Sequence, residues 1–304
     1  MGEGYQAIDA KVVDYHLYTL EGLEQYPLRG PRRVAGRTER YVAYVGAAQT
    51  FGRFVAHPFP ELVSERIGVP ALNMGRAGEG PAWYLETDGV LDWLRGAEAV
   101  VVQVMSGRSV PNSMMATPYS GGAIVFREGG PPDPTFWTGK GTTVPGMRAG
   151  KAYQWLIEHT DEETVRRVVA ETRSTWVQLM SDLLDAVQTR TVLLWFSHRP
   201  PRYREGFSSV GRLFGGFPQM VNEEMVGEVR AHADEYVEVV TERGRPQTLR
   251  NLETGEIEEV FDREHFPNRP DETRALNTYY PSPEMHEDVV GPLSEALIRL
   301  GVTA

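Results

Sequence analysis

Apolar, β-branched runs recur along the chain at long intervals: Tyr41–Val45, Val69–Leu72, Ala99–Met105, Thr191–Phe196 and Tyr236–Val240. Two of them, AVVVQVM at 99–105 and TVLLWF at 191–196, are almost continuously apolar. A strand covered on one face alternates apolar and polar residues, whereas a near-unbroken run suits a strand covered on both. Between the runs the periodicity becomes helical. PFPELVSERIG at 58–68 closes on a glycine suited to a helix C-terminus, and Glu86–Arg95 predicts a second helix. In the longest helical stretch, Asp161–Gln188, residues Val165, Val168, Val169, Thr172, Trp176, Leu179, Met180 and Leu183 share one face. Thr160 and Glu163 form a capping-box pattern at its start. Further helices are expected over Gln219–His232 and Met285–Leu300. Strands alternating with helices predict an α/β fold of flavodoxin-like type: three layers, with a mostly parallel central sheet flanked by helices.

Two stretches break the alternation. Tyr119–Gly150 is rich in Gly and Pro, and Thr248–Tyr280 is polar and irregular, with a hairpin expected around Thr254-Gly255. The chain therefore reads as one domain over 1–304, with an N-terminal extension (1–40) and insertions at about 119–150 and 248–280.

Composition narrows the function. The 304 residues carry a net charge of -11, which disfavours nucleic acid and anionic membrane surfaces as partners, since both seek a basic face. With no cysteine there is no disulfide, zinc–thiolate site or cysteine nucleophile. No apolar run has signal-peptide or membrane-spanning length, so a soluble cytoplasmic protein is expected, with homo-oligomerisation left open.

In open parallel sheets ligands sit at the carboxyl ends of the strands. The first apolar run leads into Gly46-Ala47-Ala48-Gln49-Thr50-Phe51-Gly52. The second leads into Asn73-Met74-Gly75-Arg76-Ala77-Gly78-Glu79-Gly80. The third leads into Ser106-Gly107-Arg108-Ser109, with Asn112 close behind, and the fourth into Ser197-His198-Arg199. Tyr280-Pro281-Ser282-Pro283-Glu284-Met285-His286 precedes and opens the last helix. Arg53, Arg76, Arg108 and Arg199 all fall near strand ends in an acidic chain; converging there, they would hold an anion through guanidinium forks. Trp83, Tyr84, Phe136 and Trp137 are candidates for the walls of such a pocket, and Gln49 and His198 for further substrate contacts. His16, His57, His159, His232 and His265 show no metal-ligand spacing, and no metal or cofactor is expected. No phosphate-binding loop of the Gly-x-x-x-x-Gly-Lys-Ser/Thr or Gly-x-Gly-x-x-Gly type is present, which disfavours a nucleotide-dependent transferase.

This order of blocks resembles the SGNH, or GDSL-like, hydrolase superfamily. Its first block reads Gly-Asp-Ser-x-Ser/Thr-x-Gly; Gly46, Thr50 and Gly52 match, with Ala47 at the Asp position and Ala48 at the nucleophile position. The resemblance implies an oxyanion-hole glycine at Gly78 and an oxyanion-hole amide, for which Asn112 is the nearest residue. It implies an Asp-x-x-His block at the head of the final helix, where His286 matches as general base. Pro283 stands at the acid position, leaving Glu284 as a candidate acid. Ala48 replaces a natural serine, or marks a relative that has lost it, or leaves different work to another residue such as Gln49 or Thr50. Each block also has a structural reading, Gly46–Gly52 as a close-packed turn and His286 as a helix-start residue.

The expectation is an SGNH-like α/β hydrolase or acyltransferase acting on an ester or amide of an acidic small molecule, in a nucleophile-less form. The alternative is a non-catalytic anion-binding module on the same scaffold.

Overall fold

The apolar runs become strands stacked side by side. The computed structural model describes residues 9–119, 122–131, 135–137, 143–260 and 274–304. In chain order its elements begin with β1 (Val42–Val45), α1 (Ala48–Phe51), α2 (Phe59–Ile67), β2 (Ala71–Asn73), α3 (Pro81–Glu86), α4 (Val90–Arg95) and β3 (Ala99–Gln103). Next come the short strands β4 (Met115–Tyr119), β5 (Ala123–Phe126), β6 (Thr135–Trp137), β7 (Thr143–Pro145) and β8 (Met147–Arg148). The chain continues through α5 (Ala149–His159), α6 (Glu162–Val187), β9 (Arg190–Ser197), α7 (Val210–Phe214), α8 (Glu223–Arg230) and β10 (Glu235–Val240). It closes with β11 (Gln247–Thr248), β12 (Leu276–Asn277) and α9 (Pro283–Arg299).

The central sheet has the order β10-β9-β3-β1-β2, and all its pairings are parallel. This is the expected α/β architecture. Along β9, Leu193 and Trp195 point to one face and Val192, Leu194 and Phe196 to the other, so both faces are apolar although the side chains alternate. One face packs on α3, α4, α6 and α8 through Tyr84, Trp93, Trp176, Met180, Leu183 and Met225. The other packs on α2 and α9 through Phe59, Val63, Ile67, Met285, Val289, Leu293 and Leu297. Each large side chain buried this way contributes about 1.5–3 kcal/mol.

Helix boundaries follow local chemistry. Gly68 closes α2 in the left-handed conformation (φ 73°), as its position predicted. The helix expected over Glu86–Arg95 is instead two, because Gly89 at φ 80° interrupts it and α4 starts afresh behind it. The cap of α6 is Asp161, which accepts the Thr164 N–H at 2.7 Å, and not Thr160. The Thr160 hydroxyl turns back to donate to the Leu156 carbonyl at 2.7 Å, so it ends α5.

The 119–150 region builds part of a small sheet, β4-β5-β8, packed under α5 and α7 through Ile124, Met147, Tyr153, Leu156 and Phe214. Asn251 and Gly255 close a tight turn at 251–255, bridged by Arg250 and Ile257. Residues Val12, Val13 and Tyr15 pack on Phe51, Phe54, Leu249 and Val260, which fixes the amino-terminal segment against the first turn of the sheet. Among the described residues no helix is long and apolar enough to cross a membrane.

Candidate functional site

The connection leaving β1 runs to one side of the sheet and that leaving β3 to the other, so the strand order switches between them. A cleft open to solvent lies at this point. It is lined by Ala47, Ala48 and Gln49 after β1, by Ala77, Gly78, Glu79 and Gly80 after β2, and by Ser106, Arg108 and Ser109 after β3. Phe217, Tyr279 and Tyr280 complete the wall.

The first turn is held by its neighbours. A Cβ on Gly46 would lie 2.3 Å from the Thr50 Oγ1 and 2.6 Å from the Gln103 Oε1, so only glycine fits. The Gln103 Oε1 accepts the Thr50 hydroxyl at 2.7 Å and the Ala47 N–H at 3.2 Å. The Asn73 carboxamide donates to the Thr50 carbonyl at 2.9 Å and accepts the Gly75 N–H at 3.0 Å, tying the end of β2 to α1. The Tyr84 hydroxyl sits between the Gly46 and Met74 carbonyls at 2.7 and 2.8 Å. The result is a rigid bend with the Ala48 methyl at the floor of the cleft, 5% exposed.

Of the residues singled out in the sequence, Ala48, Gln49, Gly78 and Arg108 come together here. The others lie elsewhere. His286 is fully buried: its ring stacks on Phe59 with centroids 5.7 Å apart and meets Phe196 edge-on at 5.2 Å. The His286 Nδ1 accepts the Phe59 N–H at 3.0 Å, and its Nε2 is buried without a partner. Burial, with the charge of Arg29 added, pushes its pKa down to about 3. This imidazole does not line the cleft and cannot serve there as general base. Nor does Glu284 orient it, since that carboxylate packs on Gly244, where a Cβ would fall 2.0 Å from its Oε2. Asn112 is no oxyanion donor: its Oδ1 accepts the Met114 and Met115 N–H groups and its Nδ2 donates to the Thr172 hydroxyl.

Three of the four strand-end arginines serve the fold. Arg199 is 9% exposed and donates to the carbonyls of Gly216, Pro200, Pro201, Pro218 and Val221, clamping one loop; burial lowers its pKa to about 10. Arg76 lies over the rings of Trp83 and Tyr26, at 4.5 and 5.0 Å from their centroids. Arg53 holds Asp9 through two hydrogen bonds of 2.7 and 2.9 Å. His198 packs on Gly216, and burial, reinforced by Arg245, lowers its pKa. Trp83 and Tyr84 are used in the contacts above and do not wall the cleft; the side chains of Phe136 and Trp137 lie outside the described residues.

The residues directly ahead of α9 bring side chains that the sequence reading missed. The Tyr280 hydroxyl accepts the Arg53 Nη1–H at 2.9 Å. Burial works against the charged Arg53 guanidinium, but Tyr280 and Asp9 outweigh it and hold the group charged, above its ordinary range. Burial likewise raises the Asp9 pKa, with Arg53 and the Tyr15 hydroxyl pulling against it. The Tyr279 hydroxyl accepts from the Gln219 Nε2 at 2.7 Å, and the Gln219 Oε1 accepts from Ser106. Burial raises the Tyr279 pKa, opposed by Arg108. Asn277 fixes both tyrosines, its Oδ1 accepting the Tyr279 and Tyr280 N–H groups at 3.2 and 2.9 Å. The signal for these residues was present: Ser282 and Pro283 are a helix cap and first helical residue, which puts His286 inside the helix and Tyr280 just before it. Among the described residues no group of His, Asp and Glu is placed to hold a metal ion.

Among solved structures the chain is similar to a lipase from a goat rumen metagenome, at 12% identity over 88% of this chain and 99% of that one, TM-score 0.40. It is similar to an alpha/beta hydrolase from the metagenome of Lake Arreo, Spain, at 11% identity over 88% and 96%, TM-score 0.42. It is also similar to a catalytic mutant of an acetylxylan esterase from Geobacillus stearothermophilus, at 13% identity over 88% and 95%, TM-score 0.37. No curated protein matches the chain. A family model matches residues 4–116 and 156–291, and the chain belongs to that family, described as Domain of unknown function (DUF6473).

Proposed function

We propose that the chain is an SGNH-like hydrolase or acyltransferase scaffold in nucleophile-less form, whose cleft holds an ester or amide of an acidic small molecule. Ala48 offers a methyl where the related first block carries its serine. Ahead of the last helix it is Tyr280, and not His286, that lines the cleft, so in this reading Tyr280 takes the place of the base. Neither residue can run the proton transfer from a serine to an imidazole that acyl transfer of this kind uses.

The observation that carries the acidic ligand is Arg108. Of the four strand-end arginines it alone lines the cleft, and its guanidinium has neither a hydrogen bond nor an ion pair among the described residues. An unpaired guanidinium in the wall of a cleft is a fork for a carboxylate. Titration calorimetry with a panel of small carboxylic acids and their methyl esters tests this on the intact chain. Binding of acids that weakens at least about tenfold in Arg108→Gln supports the reading. Binding indifferent to Arg108, or steady ester turnover by the unaltered chain, overturns it.

A further inference from the structure

Around the first turn two buried carboxamide atoms have no partner, the Gln103 Nε2 and the Gln49 Oε1, and of these two residues only Gln49 lines the cleft. Thr50 and the Ala47 N–H both go to Gln103, and Asn73 serves Thr50 and Gly75. Gln49 lines the cleft with its side chain 2% exposed, and its Oε1 has no hydrogen-bond partner. Buried polar groups are almost always paired, so a carboxamide left unpaired in a cleft wall points to a ligand that completes it. Across the same cleft, the Tyr280 hydroxyl already accepts from Arg53, and its own proton meets no acceptor among the described residues. Beside the Arg108 guanidinium, the cleft therefore presents an unmatched acceptor on Gln49 and an unmatched donor on Tyr280.

We infer that Gln49 and Tyr280 recognise an alcoholic hydroxyl, and that the ligand is a hydroxy acid or its ester. A hydroxyl donates to the Gln49 carbonyl oxygen and accepts from the Tyr280 O–H with one atom. An ammonium has no lone pair for Tyr280 and would face the Arg53 charge behind it, and a carboxylate has no proton for the Gln49 Oε1. The inference rests on the reading of Arg108 as the anchor of an acid, and deepens it: Arg108 takes the carboxylate and Gln49 sets the preference at the other end. A site built to hydrogen-bond a substrate hydroxyl discriminates strongly against the analogue that lacks it, because its own polar groups are then left unpaired.

The test is titration calorimetry on the full chain with three probe sets of graded length: unsubstituted carboxylates, their ω-hydroxy counterparts, and neutral diols. The unaltered chain should bind hydroxy acids at least about tenfold more tightly than unsubstituted ones. Gln49→Leu should remove that preference and leave the affinity for unsubstituted acids in place, while Arg108→Gln weakens both acid sets. Tyr280→Phe keeps the ring, loses only the hydroxyl, and should lower the preference independently; thermal melts confirm that each variant is folded. Acid binding that depends on Arg108 but shows no hydroxyl preference, or a preference that survives both Gln49→Leu and Tyr280→Phe, overturns this inference and leaves the acid reading intact. Diol binding lost in Gln49→Leu and indifferent to Arg108 keeps the inference and removes the acid reading. A complete lack of binding overturns both.

Discussion

The Arg53 guanidinium donates to the Tyr280 hydroxyl at 2.9 Å while its other two nitrogens hold the Asp9 carboxylate at 2.7 and 2.9 Å. One side chain thus links the amino-terminal segment, the end of the first βα turn and the wall of the cleft. Asp9 is fully buried and Arg53 is 5% exposed, so the pair sits where an unpaired charge is costly.

Replacing Arg53 with Met should therefore destabilise the chain by about 3–5 kcal/mol, because Asp9 is left buried without its counter-ion. The double variant Asp9→Asn/Arg53→Met removes both charges and should recover part of that loss. Urea unfolding midpoints of the parent, single and double variants measure the difference. A single variant as stable as the parent would show that the pair contributes nothing.

Gly46 is predicted to be irreplaceable for a steric reason. An added Cβ falls 2.3 Å from the Thr50 Oγ1 and 2.7 Å from the Gln103 Cβ, two side chains held to each other by a hydrogen bond. Gly46→Ala should cost about 1–3 kcal/mol by overpacking. Gly227, in the middle of α8, is the control: a Cβ there meets nothing within 4 Å, and Gly227→Ala should stabilise by about 0.5–1 kcal/mol through helix propensity. Equal effects at the two positions would contradict the close approach at Gly46.

The central sheet was legible in the sequence because four of its five strands are buried on both faces, which forces apolar runs that no loop tolerates. The strand β9 falls within one residue of its expected bounds at either end. The cleft was legible in part. Ala48, Gly78 and Arg108 follow strands directly, and a strand end is a fixed address. Asp9 and Gln219 reach the groups around the cleft, Arg53 and Tyr279, from distant segments, through loops whose course no periodicity encodes. His286 misled for a local reason. It lies in the first turn of α9, on the face that also carries Val289 and Leu293, so its neighbours are those of a core position.

The position of Tyr280 sets the expectation for restoring chemistry. Ala48→Ser alone should give no aryl-ester turnover above the parent at any pH from about 6 to 9, the range over which a histidine base would become neutral, because among the described residues no imidazole lines the cleft. Ala48→Ser/Tyr280→His places a nucleophile and a base at two positions that line the cleft and should give measurable turnover, rising with pH as the new imidazole loses its proton. Activity from Ala48→Ser alone would mean that another group in the cleft acts as base.

His286 makes the fold sensitive to acid. Its pKa is depressed from 6.5 to about 3 by burial, so the unfolded chain binds a proton that the folded chain refuses. The unfolded state carries more protons between those two values, and stability therefore rises with pH across that window. The contribution is fully present above about pH 6.5 and is lost as pH falls towards 3, at up to about 1.4 kcal/mol per pH unit. His286→Asn keeps an acceptor for the Phe59 N–H and has nothing to titrate. At pH 7 it should be less stable than the parent, since the ring stacked between Phe59 and Phe196 is lost. Between pH 6.5 and 4.5 its urea midpoint should fall less steeply than the parent's. Parallel slopes would place the imidazole in contact with water, where it could reach the cleft after all.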